Sequence, residues 1–229
     1  APGNVVVPNN QLKPEYAWNY ELGLQYNQPE KINYYLSIFT TTLQNALTNR
    51  PFTFNGQDSI MYDGTKSRVN AIQNVAQAKV WGIQLGWELF FNKHTKWQSK
   101  LNWIEGHETD DIKNEQVPLR HAPPIFGSSA IQWQKKQFTI EVNTQFNGQI
   151  NSANLAPSEK AKTFIYAKDE NGNPYAPSWY TINLKATYTL GKFQCNLGWE
   201  NITNQRYRPY SSGIVAAGSN IITSVRYSF

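Results

Sequence analysis

Two histidines in one segment, EGHETDDIKNEQVPLRH, have side chains that can bind a metal. His107 and His121 carry imidazole rings, and imidazole ligates transition metals as well as haem iron. Histidines in solvated loops are also common without any such role. The two residues are therefore candidate ligands of haem or of a metal complex, while the sequence predicts no resident metal site.

Arginine and aromatic residues form the second group that could do chemistry. They recur in the less regular segments of the chain. Guanidinium groups pair with anions and stack on flat ring systems, so this combination is typical of sites for anionic, aromatic molecules. Loop packing and interface anchoring employ the same residue types. With the histidines, the candidate ligand-binding residues are Arg50, Phe52, Arg68, His107, Arg120, His121, Tyr166, Tyr175, Arg206 and Tyr210, and Arg208 belongs to the same population.

Enzyme chemistry has no comparable signal in this sequence. No Ser/His/Asp or Cys/His set, carboxylate pair or phosphate loop stands out, so we expect no catalytic residues and no cofactor. The single cysteine, Cys195, shares strand positions with apolar residues in KFQCNLGW and has no disulfide partner. In DENGNP, Pro174 replaces the glycine that a calcium loop needs, which predicts a turn. Lys and Arg are scattered despite the net charge of +5, so we expect no nucleic-acid partner.

The elements that must position these residues are β-strands, because apolar and polar residues alternate along most of the chain. Alternation with a period of two puts the two sets on opposite faces of a strand. No segment predicts a helix. Nine segments alternate in this way: 18–26, 32–38, 81–89, 97–103, 125–133, 138–146, 180–188, 193–199 and 220–229.

Short and long connections follow each other in strict order between these strands. The short ones have the length of hairpin turns. The long ones are rich in Gly, Pro, Asn and Asp, and loops of that length are uncommon in compact soluble domains. The short connections are 27–31, 92–96, 135–137 and 190–192; the long ones are about 46–75, 105–124, 147–178 and 203–220.

The apolar strand face favours a membrane over a soluble core. A soluble β-sandwich buries mainly Val, Ile and Leu, but here Trp and Tyr crowd the apolar positions near strand ends. Aromatic girdles at both ends of a strand are typical of transmembrane barrels, and the Gln, Asn, Thr and Gly of the other face suit a wet lumen. The sequence predicts an all-β, antiparallel transmembrane barrel segment with periplasmic turns and extracellular loops. Trp81, Ile83, Leu85 and Trp87 should then be largely exposed to lipid.

An odd number of strands indicates that part of the barrel is elsewhere. Bacterial barrels with both ends in the periplasm have an even number of strands. The last strand follows a long external loop, so it runs toward the periplasm and ends there. Because successive strands alternate in direction, the first of the nine also runs toward the periplasm and begins on the external side. No charged leader precedes it. We expect the C-terminal part of a longer barrel, an open sheet whose edges, 16–27 and 220–229, pair with strands of the missing part.

Three segments resemble TonB-dependent outer-membrane receptors. NNQLKPEYAWNYELGLQY is similar to the stretch in which an Asn-rich loop and Leu-Lys-Pro-Glu precede a descending strand of these receptors. AKVWGIQLGWEL resembles a recurrent strand, and LGWENITNQRYRPYSSGIVAAGSNIITSVRYSF resembles the closing hairpin. Ser219 departs from the family, which often has Arg there. The resemblance assigns residues 1–229 to the C-terminal part of a barrel of about 22 strands, without the plug domain and the TonB box.

The resemblance implies active transport across the outer membrane of a Gram-negative bacterium. The ligand would be a scarce nutrient, a ferric siderophore or haem above all. The partners that it implies are outer-membrane lipid, the N-terminal barrel portion and plug of the same receptor, and TonB acting through that plug. They also include the barrel-assembly machinery and a small-molecule iron complex or haem. The alternative is a structural or adhesive outer-membrane barrel without active transport. The residues that the assembly machinery would read are Ile221, Thr223, Val225, Tyr227 and Phe229.

Overall fold

A computed structural model of the chain describes residues 3–110 and 115–229. This part contains fourteen strands, one 3-10 turn (Ser152–Asn154) and one single-turn helix, α1 (Pro157–Lys160). None of its helices is long and apolar enough to span a bilayer. The strands are β1 (Asn4–Val7), β2 (Tyr16–Gln28), β3 (Ile32–Pro51), β4 (Ser59–Tyr62), β5 (Thr65–Asn92), β6 (Thr95–Asp110), β7 (Glu115–Pro118), β8 (Phe126–Lys135), β9 (Phe138–Asn147), β10 (Ala167–Lys168), β11 (Pro174–Tyr175), β12 (Trp179–Leu190), β13 (Phe193–Glu200) and β14 (Asn220–Tyr227).

Nine long strands form one sheet in the order β14-β13-β12-β9-β8-β6-β5-β3-β2. Each strand lies beside its sequence neighbour among these nine, which confirms the predicted strands and the hairpin turns that join them. Directly opposite residues project on the same face, and the register pairs apolar with apolar, as for Leu184 with Trp199. The strands β2 and β14 lie at the two ends of this order, and no ladder joins them in the described part of the chain.

Contacts divide the described residues into two compact units. The first unit comprises the described residues of 1–20, 40–80 and 106–117. The second comprises 21–39, 81–105 and 118–229, and it includes a part of each of the nine long strands.

The first unit is richer in strands than the sequence predicts. The expected loop over 46–75 is wrong in extent, since β3 continues to Pro51 and β5 begins at Thr65. Likewise β6 continues to Asp110 and β7 follows within the expected loop 105–124. Strand β4 pairs antiparallel and β1 pairs parallel with the first half of β5. Residues of β1 and β5 bury a small apolar cluster of Val7, Val69 and Ala71, against which Val5, Phe52 and Ile60 pack.

Two tight turns explain how this unit folds back on itself. Asn55-Gly56 connects Phe54 to Gln57, and Asp63-Gly64 connects β4 to β5. All four turn residues have positive φ, from 48° to 76°. Asn-Gly and Asp-Gly pairs favour this left-handed geometry in two-residue hairpins, so the sequence does contain the signal for the extra strands.

The strand faces of the second unit follow the predicted alternation. Along β13, Phe193, Cys195, Leu197 and Trp199 are exposed, and the polar residues between them are half-buried. Trp81, Ile83, Leu85 and Trp87 are half-buried, so the prediction of large exposure is wrong for these four. For the two tryptophans the reason is cover by neighbouring rings: the ring of Trp81 lies 5.2 Å from that of Trp103, and the ring of Trp87 lies 5.4 Å from that of Trp97.

A dry core between two sheets is absent from the described residues. Seven of their ten buried apolar residues form two small clusters, one in the first unit and one around Leu155 in the loop between β9 and β12. On the polar face of the sheet, Glu88 accepts hydrogen bonds from Asn33 at 3.0 Å and Lys96 at 2.7 Å. In the described residues this face therefore carries hydrogen-bonded polar groups, whereas a β-sandwich would bury apolar side chains between two sheets.

The loop between β9 and β12 contains short elements that the sequence analysis does not predict. They are the 3-10 turn, α1 and the hairpin β10–β11. The hairpin turn is DENGNP, where Asp169 accepts backbone hydrogen bonds from Asn171 at 2.9 Å and Asn173 at 2.8 Å. The carboxylate of Asp169 is therefore engaged in the turn, as predicted for this segment in place of a calcium loop.

Candidate ligand site in the loops of the second unit

The structure distributes the ten candidate residues between the two units. The first unit contains Arg50, Phe52, Arg68 and His107, and the second contains Arg120, His121, Tyr166, Tyr175, Arg206 and Tyr210. Three of the second group, Tyr166, Arg206 and Tyr210, line one cavity of about 330 Å³. This cavity is the candidate ligand site.

The candidates of the first unit do not line the 330 Å³ cavity. Phe52 packs against the apolar cluster, and its backbone N–H donates to the Val69 carbonyl at 3.0 Å. Its role there is structural. Arg68 and His107 are exposed, and Arg50 is half-buried. In the first unit the structure therefore supports loop packing for Phe52 and leaves a ligand role for the other three as a prediction.

Aromatic rings form much of the cavity wall. Trp179, the first residue of β12, stacks on Tyr207 with ring centroids 4.1 Å apart and planes 28° apart. Tyr166 comes from the loop between β9 and β12, and Arg206 and Tyr210 come from the loop between β13 and β14. A cavity of this volume lined by aromatic residues and a few polar groups is typical of small-molecule sites. Trp179 and Tyr207 are site residues that the sequence analysis does not list among its candidates.

Asn201 fixes the base of the loop that supplies Arg206 and Tyr207. It is buried and has a positive φ of 47°. Its side-chain amide donates to the carbonyls of Gln205 at 2.9 Å and Ala217 at 3.0 Å, which joins the two ends of the loop. Its backbone N–H donates to Asn183 Oδ1 at 2.8 Å. One residue thus anchors the loop to itself and to strand β12.

Arg208 ties the two loops together and is not free to bind a ligand through all its donors. Its Nη1 donates to the carbonyls of Phe164 at 2.8 Å and Ile165 at 3.1 Å. The Arg208 Nη1 atom therefore has a structural role in place of the ligand-binding role that the residue type suggests. Arg206 is exposed at the cavity, and its role as an anion-binding group stays a prediction.

A buried carboxylate organises the wall of the cavity. The Glu159 side chain is fully buried in α1, and it accepts hydrogen bonds from Tyr210 at 2.7 Å and Ser211 at 2.6 Å. His121 Nδ1 lies 3.8 Å from Glu159 Oε1. Three separate connections meet at this carboxylate. Sequence reasoning misses Glu159, because nothing in PSEK distinguishes it from an exposed residue in the first turn of a helix.

Burial and hydrogen bonding determine the protonation of this cluster. Burial raises the pKa of Glu159, but hydrogen bonds from Ser211 and Tyr210 outweigh it and hold the pKa below its ordinary value. Burial raises the pKa of Tyr166 to about 12, and the nearby charge of Glu159 adds to this effect. Burial and the hydrogen bond to Glu159 also raise the pKa of Tyr210. At neutral pH the cluster is one carboxylate surrounded by neutral hydroxyls.

A second cavity of about 700 Å³ adjoins the same residues. His121 lines it together with Lys100, Asn102 and Gln145, which belong to the polar face of the sheet. A third cavity, of about 340 Å³, lies on that face around Asn33 and Glu88 and includes none of the ten candidates.

The remaining candidates of the second unit do not line the 330 Å³ cavity. Tyr175 pairs with Ala167 in the hairpin β10–β11, and Arg120 is exposed next to His121. Within the described residues, no group of three or more His, Cys, Asp and Glu side chains could hold a metal ion. Arg206 and several aromatic residues line the 330 Å³ cavity, and their role in ligand binding stays a prediction.

The residues of the expected assembly signal lie along the edge strand β14 and its end. Ile221, Val225 and Tyr227 are exposed on the apolar face, and Phe229 is fully exposed. The Tyr227 ring contacts both Phe193, at 4.8 Å between centroids, and Phe229, at 5.2 Å. Thr223 belongs to the same set, and the role of these five residues as an assembly signal stays a prediction.

Comparison with known proteins decides the family. The profile of the family described as TonB dependent receptor-like, beta-barrel, matches residues 1–202. The chain belongs to this family. Its strands therefore form part of a β-barrel in the outer membrane, as the resemblance implies. No curated protein sequence matches the chain.

Solved receptor structures have the same fold at low sequence identity. The copper transporter OprC is 16% identical with a TM-score of 0.70, over 96% of this chain and 33% of its own. The FrpB iron transporter from Neisseria meningitidis is 16% identical with a TM-score of 0.70, over 99% and 33%. A variant of the ferric enterobactin receptor PfeA from Pseudomonas aeruginosa, in complex with enterobactin, is 18% identical with a TM-score of 0.73, over 98% and 33%. The chain spans about a third of the length of these proteins.

Proposed function

We propose that the chain is the C-terminal barrel portion of a TonB-dependent receptor that takes up an iron complex, either a ferric siderophore or haem. The observation that carries the proposal is the cavity in the second unit, where Arg206 faces a space lined by Tyr166, Trp179 and Tyr207. A cation beside aromatic rings suits a flat, anionic ligand such as a catecholate or a porphyrin with carboxylates. The similar structures include an iron transporter, FrpB, and a ferric enterobactin receptor, PfeA, in complex with enterobactin, which supports the ligand class.

The proposal includes the partners that energise transport. The N-terminal barrel portion and the plug of the same receptor would complete the wall and fill the lumen, and TonB would act through the plug. The barrel-assembly machinery would insert the protein by reading β14. The family and the fold support this arrangement, and a structural or adhesive barrel without transport is the alternative.

Ligand binding tests the proposed site in the receptor that contains this chain. We expect haemin or ferric enterobactin to bind, and we expect Arg206→Ala and Tyr207→Ala each to weaken binding about tenfold or more, because charge-assisted hydrogen bonds and ring stacking each contribute on the order of 1–3 kcal/mol. Lys168→Ala is the matched control, since Lys168 is exposed in the neighbouring loop and does not line the cavity.

Three results separate the outcomes. If Arg206→Ala and Tyr207→Ala both bound haemin or ferric enterobactin as tightly as the wild type, the ligand would bind outside this cavity. Binding of Cu²⁺ alone, as the name of OprC suggests for that protein, would replace iron with copper as cargo. Accumulation of labelled iron complex that does not depend on TonB, or no accumulation at all, would favour the alternative of a barrel without active transport.

A further inference from the structure

The four short turns of the second unit form a row along one edge of the sheet. They connect β2 to β3, β5 to β6, β8 to β9 and β12 to β13. A backbone N–H at the end of a neighbouring strand donates to a carbonyl of each turn: Phe90 to Lys31 at 2.9 Å, Gln134 to His94 at 2.8 Å, Thr189 to Gln137 at 3.0 Å and Ser228 to Lys192 at 2.9 Å. Strands in a sheet are about 4.8 Å apart, so neighbouring turns follow each other every ~10 Å. Short turns of outer-membrane barrels face the periplasm, which places this row on the periplasmic side of the membrane.

Each turn brings at least one lysine to this edge, in the turn itself or directly beside it. The lysines are far apart in the sequence, and the sheet gathers them. All are exposed, and none forms an ion pair with another described residue, unlike Lys96, which pairs with Glu88 at 2.7 Å. Glu30 is the one acidic residue in the four turns. This group, the basic rim, comprises Lys31, Lys93, Lys135, Lys136 and Lys192.

A pair of aromatic rings adjoins each turn on the apolar face of the strands. The distances between ring centroids are 5.3 Å for Tyr26 and Tyr34, 5.4 Å for Trp87 and Trp97, 6.2 Å for Trp133 and Phe138, and 4.8 Å for Phe193 and Tyr227. Aromatic residues of membrane proteins concentrate at the level of the lipid headgroups. The lysines that follow these rings in the turns therefore lie at the headgroup layer of the periplasmic leaflet.

Two of the lysines have a defined place beside the rings. Lys135 is the ladder partner of Phe138, and directly opposite residues project on the same face of a sheet. The Lys192 Nζ atom lies 6.0 Å from the centre of the Tyr227 ring. A lysine can lay its aliphatic stem along an apolar surface while its ammonium group stays in the polar layer. These two side chains therefore belong to the membrane face of the edge and not to the lumen.

We propose that the basic rim binds the phosphate groups of acidic phospholipids in the periplasmic leaflet of the outer membrane. Ammonium groups without an internal carboxylate partner complement the negative headgroups, and the aromatic pairs pack beside the upper part of the acyl chains. A lysine close to an anionic lipid surface strengthens binding about fivefold. Lipopolysaccharide also carries phosphates, but it occupies the opposite leaflet. The inference goes beyond nutrient uptake and requires only the barrel of the family.

Native mass spectrometry of the complete receptor measures this preference. The receptor is incubated in detergent micelles with equal amounts of phosphatidylglycerol and phosphatidylcholine, and the ratio of retained molecules of the two lipids is counted. We expect wild type to retain phosphatidylglycerol preferentially. A triple variant with one change in each of three turns, Lys93→Gln, Lys135→Gln and Lys192→Gln, should lower the ratio about fivefold or more, because each change removes one phosphate-binding charge.

Two further variants separate a binding site from net charge and from a structural role. Lys13→Gln, Lys66→Gln and Lys168→Gln together remove the same number of exposed lysines away from the four turns and should leave the ratio unaltered. Arginine at 93, 135 and 192 keeps the charges and should retain the preference, since guanidinium also binds phosphate. Raising NaCl from about 0.1 to 1 M should weaken the preference of wild type, because the Debye length falls from about 10 to 3 Å.

The outcomes decide the role of the basic rim without reference to the proposed ligand. No preference in wild type, or an unchanged ratio in the glutamine triple variant, overturns the proposal. Equal losses in the rim and control variants also overturn it, since net charge alone would then set the ratio. If the rim variant kept its lipid ratio but bound the N-terminal barrel portion less tightly, the rim would be a protein contact and the lipid assignment would fall. Should the triple variant fail to assemble, Lys135→Gln and Lys192→Gln singly must each lower the ratio. Haemin and ferric enterobactin do not enter the measurement, so failure of the proposed ligand leaves the result intact.

Discussion

At the scale of single residues, the ionisable cluster around Glu159 makes the stability of the folded loops depend on pH. The direction of each pKa shift determines at which end of the pH range that stability is lost. Glu159 has a lowered pKa, so its stabilising contribution is present above the ordinary value of 4.5 and is lost as pH falls through the folded value. The pKa of Tyr166 is raised from 10.0 to about 12, which favours its neutral form in the folded state. Its contribution is complete below pH 10.0 and is lost as pH rises toward about 12. The cluster is therefore strongest between these limits.

The Tyr166 shift predicts a spectroscopic signature. In an absorbance titration of tyrosinate on the folded receptor, the difference between wild type and Tyr166→Phe should show one group that ionises near pH 12. The physical reason is that burial next to a carboxylate disfavours a second negative charge. In denaturant both proteins should differ by a group that ionises near 10.0, which provides the control. A difference that appears near 10.0 already in the folded receptor would contradict the buried position of Tyr166.

Asn201 predicts a second residue-scale effect, on the loop between β13 and β14. Loss of its buried side-chain hydrogen bonds should cost about 1–3 kcal/mol, so Asn201→Gly should accelerate hydrogen exchange in 203–219 roughly five- to hundredfold. Asn201→Ala should be worse by about 1 kcal/mol, because alanine tolerates the positive φ less well than glycine. Lys136→Gly is the control: Lys136 also has a positive φ and is exposed, but it lies in the turn between β8 and β9. Unchanged exchange in Asn201→Gly would show that the loop is held by other contacts.

The sequence identifies the residue types of the site but not which of them meet. Of the ten candidates, the cavity gathers Tyr166, Arg206 and Tyr210. Arg208 is directed to carbonyls of the neighbouring loop, and Glu159, Trp179 and Tyr207 become important only through contacts between segments far apart in the chain. Alternation reports on strands because each face has one environment, and loops have no such periodicity. The packing of loops therefore has to come from the structure.

At the scale of elements, two aromatic residues that disturb the alternation of β3 have a clear role. Tyr35 and Phe39 occupy polar-face positions, and their rings lie over Gly86 and Gly82 of β5. An aromatic ring across from a strand glycine covers the backbone that the glycine leaves bare. Gly82 and Gly86 are accordingly buried within a strand of otherwise large residues. The aromatic residues that interrupt the alternation in β3 thus pack over glycines of the neighbouring strand β5.

This matching predicts the effect of adding one methyl group. The Cβ of Gly86→Ala would overlap the Tyr35 ring, so the variant should be destabilised by about 1–3 kcal/mol, as is usual for overpacking. The measurement is the urea midpoint at which the receptor in detergent micelles unfolds. Gly23→Ala in β2 is the control, because its Cβ would meet nothing within 4 Å. In a Tyr35→Ala background the Gly86→Ala penalty should disappear, and a penalty that persists there would show that the ring is not its cause.

The alternation of apolar and polar residues predicts the nine long strands but not the extensions of β3 and β5. The nine long strands are predicted correctly because lipid and lumen impose opposite polarity on successive residues. Beyond residue 46 that constraint ends, and the extensions of β3 and β5 are held by ladder pairing and by a small cluster around Val69. The Asn55-Gly56 and Asp63-Gly64 pairs were the available signal, and local turn chemistry would have recovered those strands.

At the scale of the whole molecule, the two strands at the ends of the strand order, β2 and β14, each have an edge without a partner strand in the described part of the chain. Strand β2 is exposed on both faces along nearly its whole length, with Leu22 at 74%. Strand β14 pairs only with β13 in the described part of the chain. In lipid, each unpaired backbone donor or acceptor at such an edge costs several kcal/mol, so both edges require partner strands. We infer that the N-terminal barrel portion of the same receptor supplies them.

Refolding tests this requirement. The chain alone, diluted from urea into lipid vesicles, should not form a heat-modifiable, protease-resistant barrel, whereas the complete receptor should. Adding the separately expressed N-terminal barrel portion should restore resistance, since its strands would pair with both edges at once. Replacing alternate residues of β2 with proline should block that rescue by removing edge N–H donors. If the chain alone became resistant and β2 and β14 could be cross-linked to each other, the chain would be a small independent barrel and the requirement for a second barrel portion would fall.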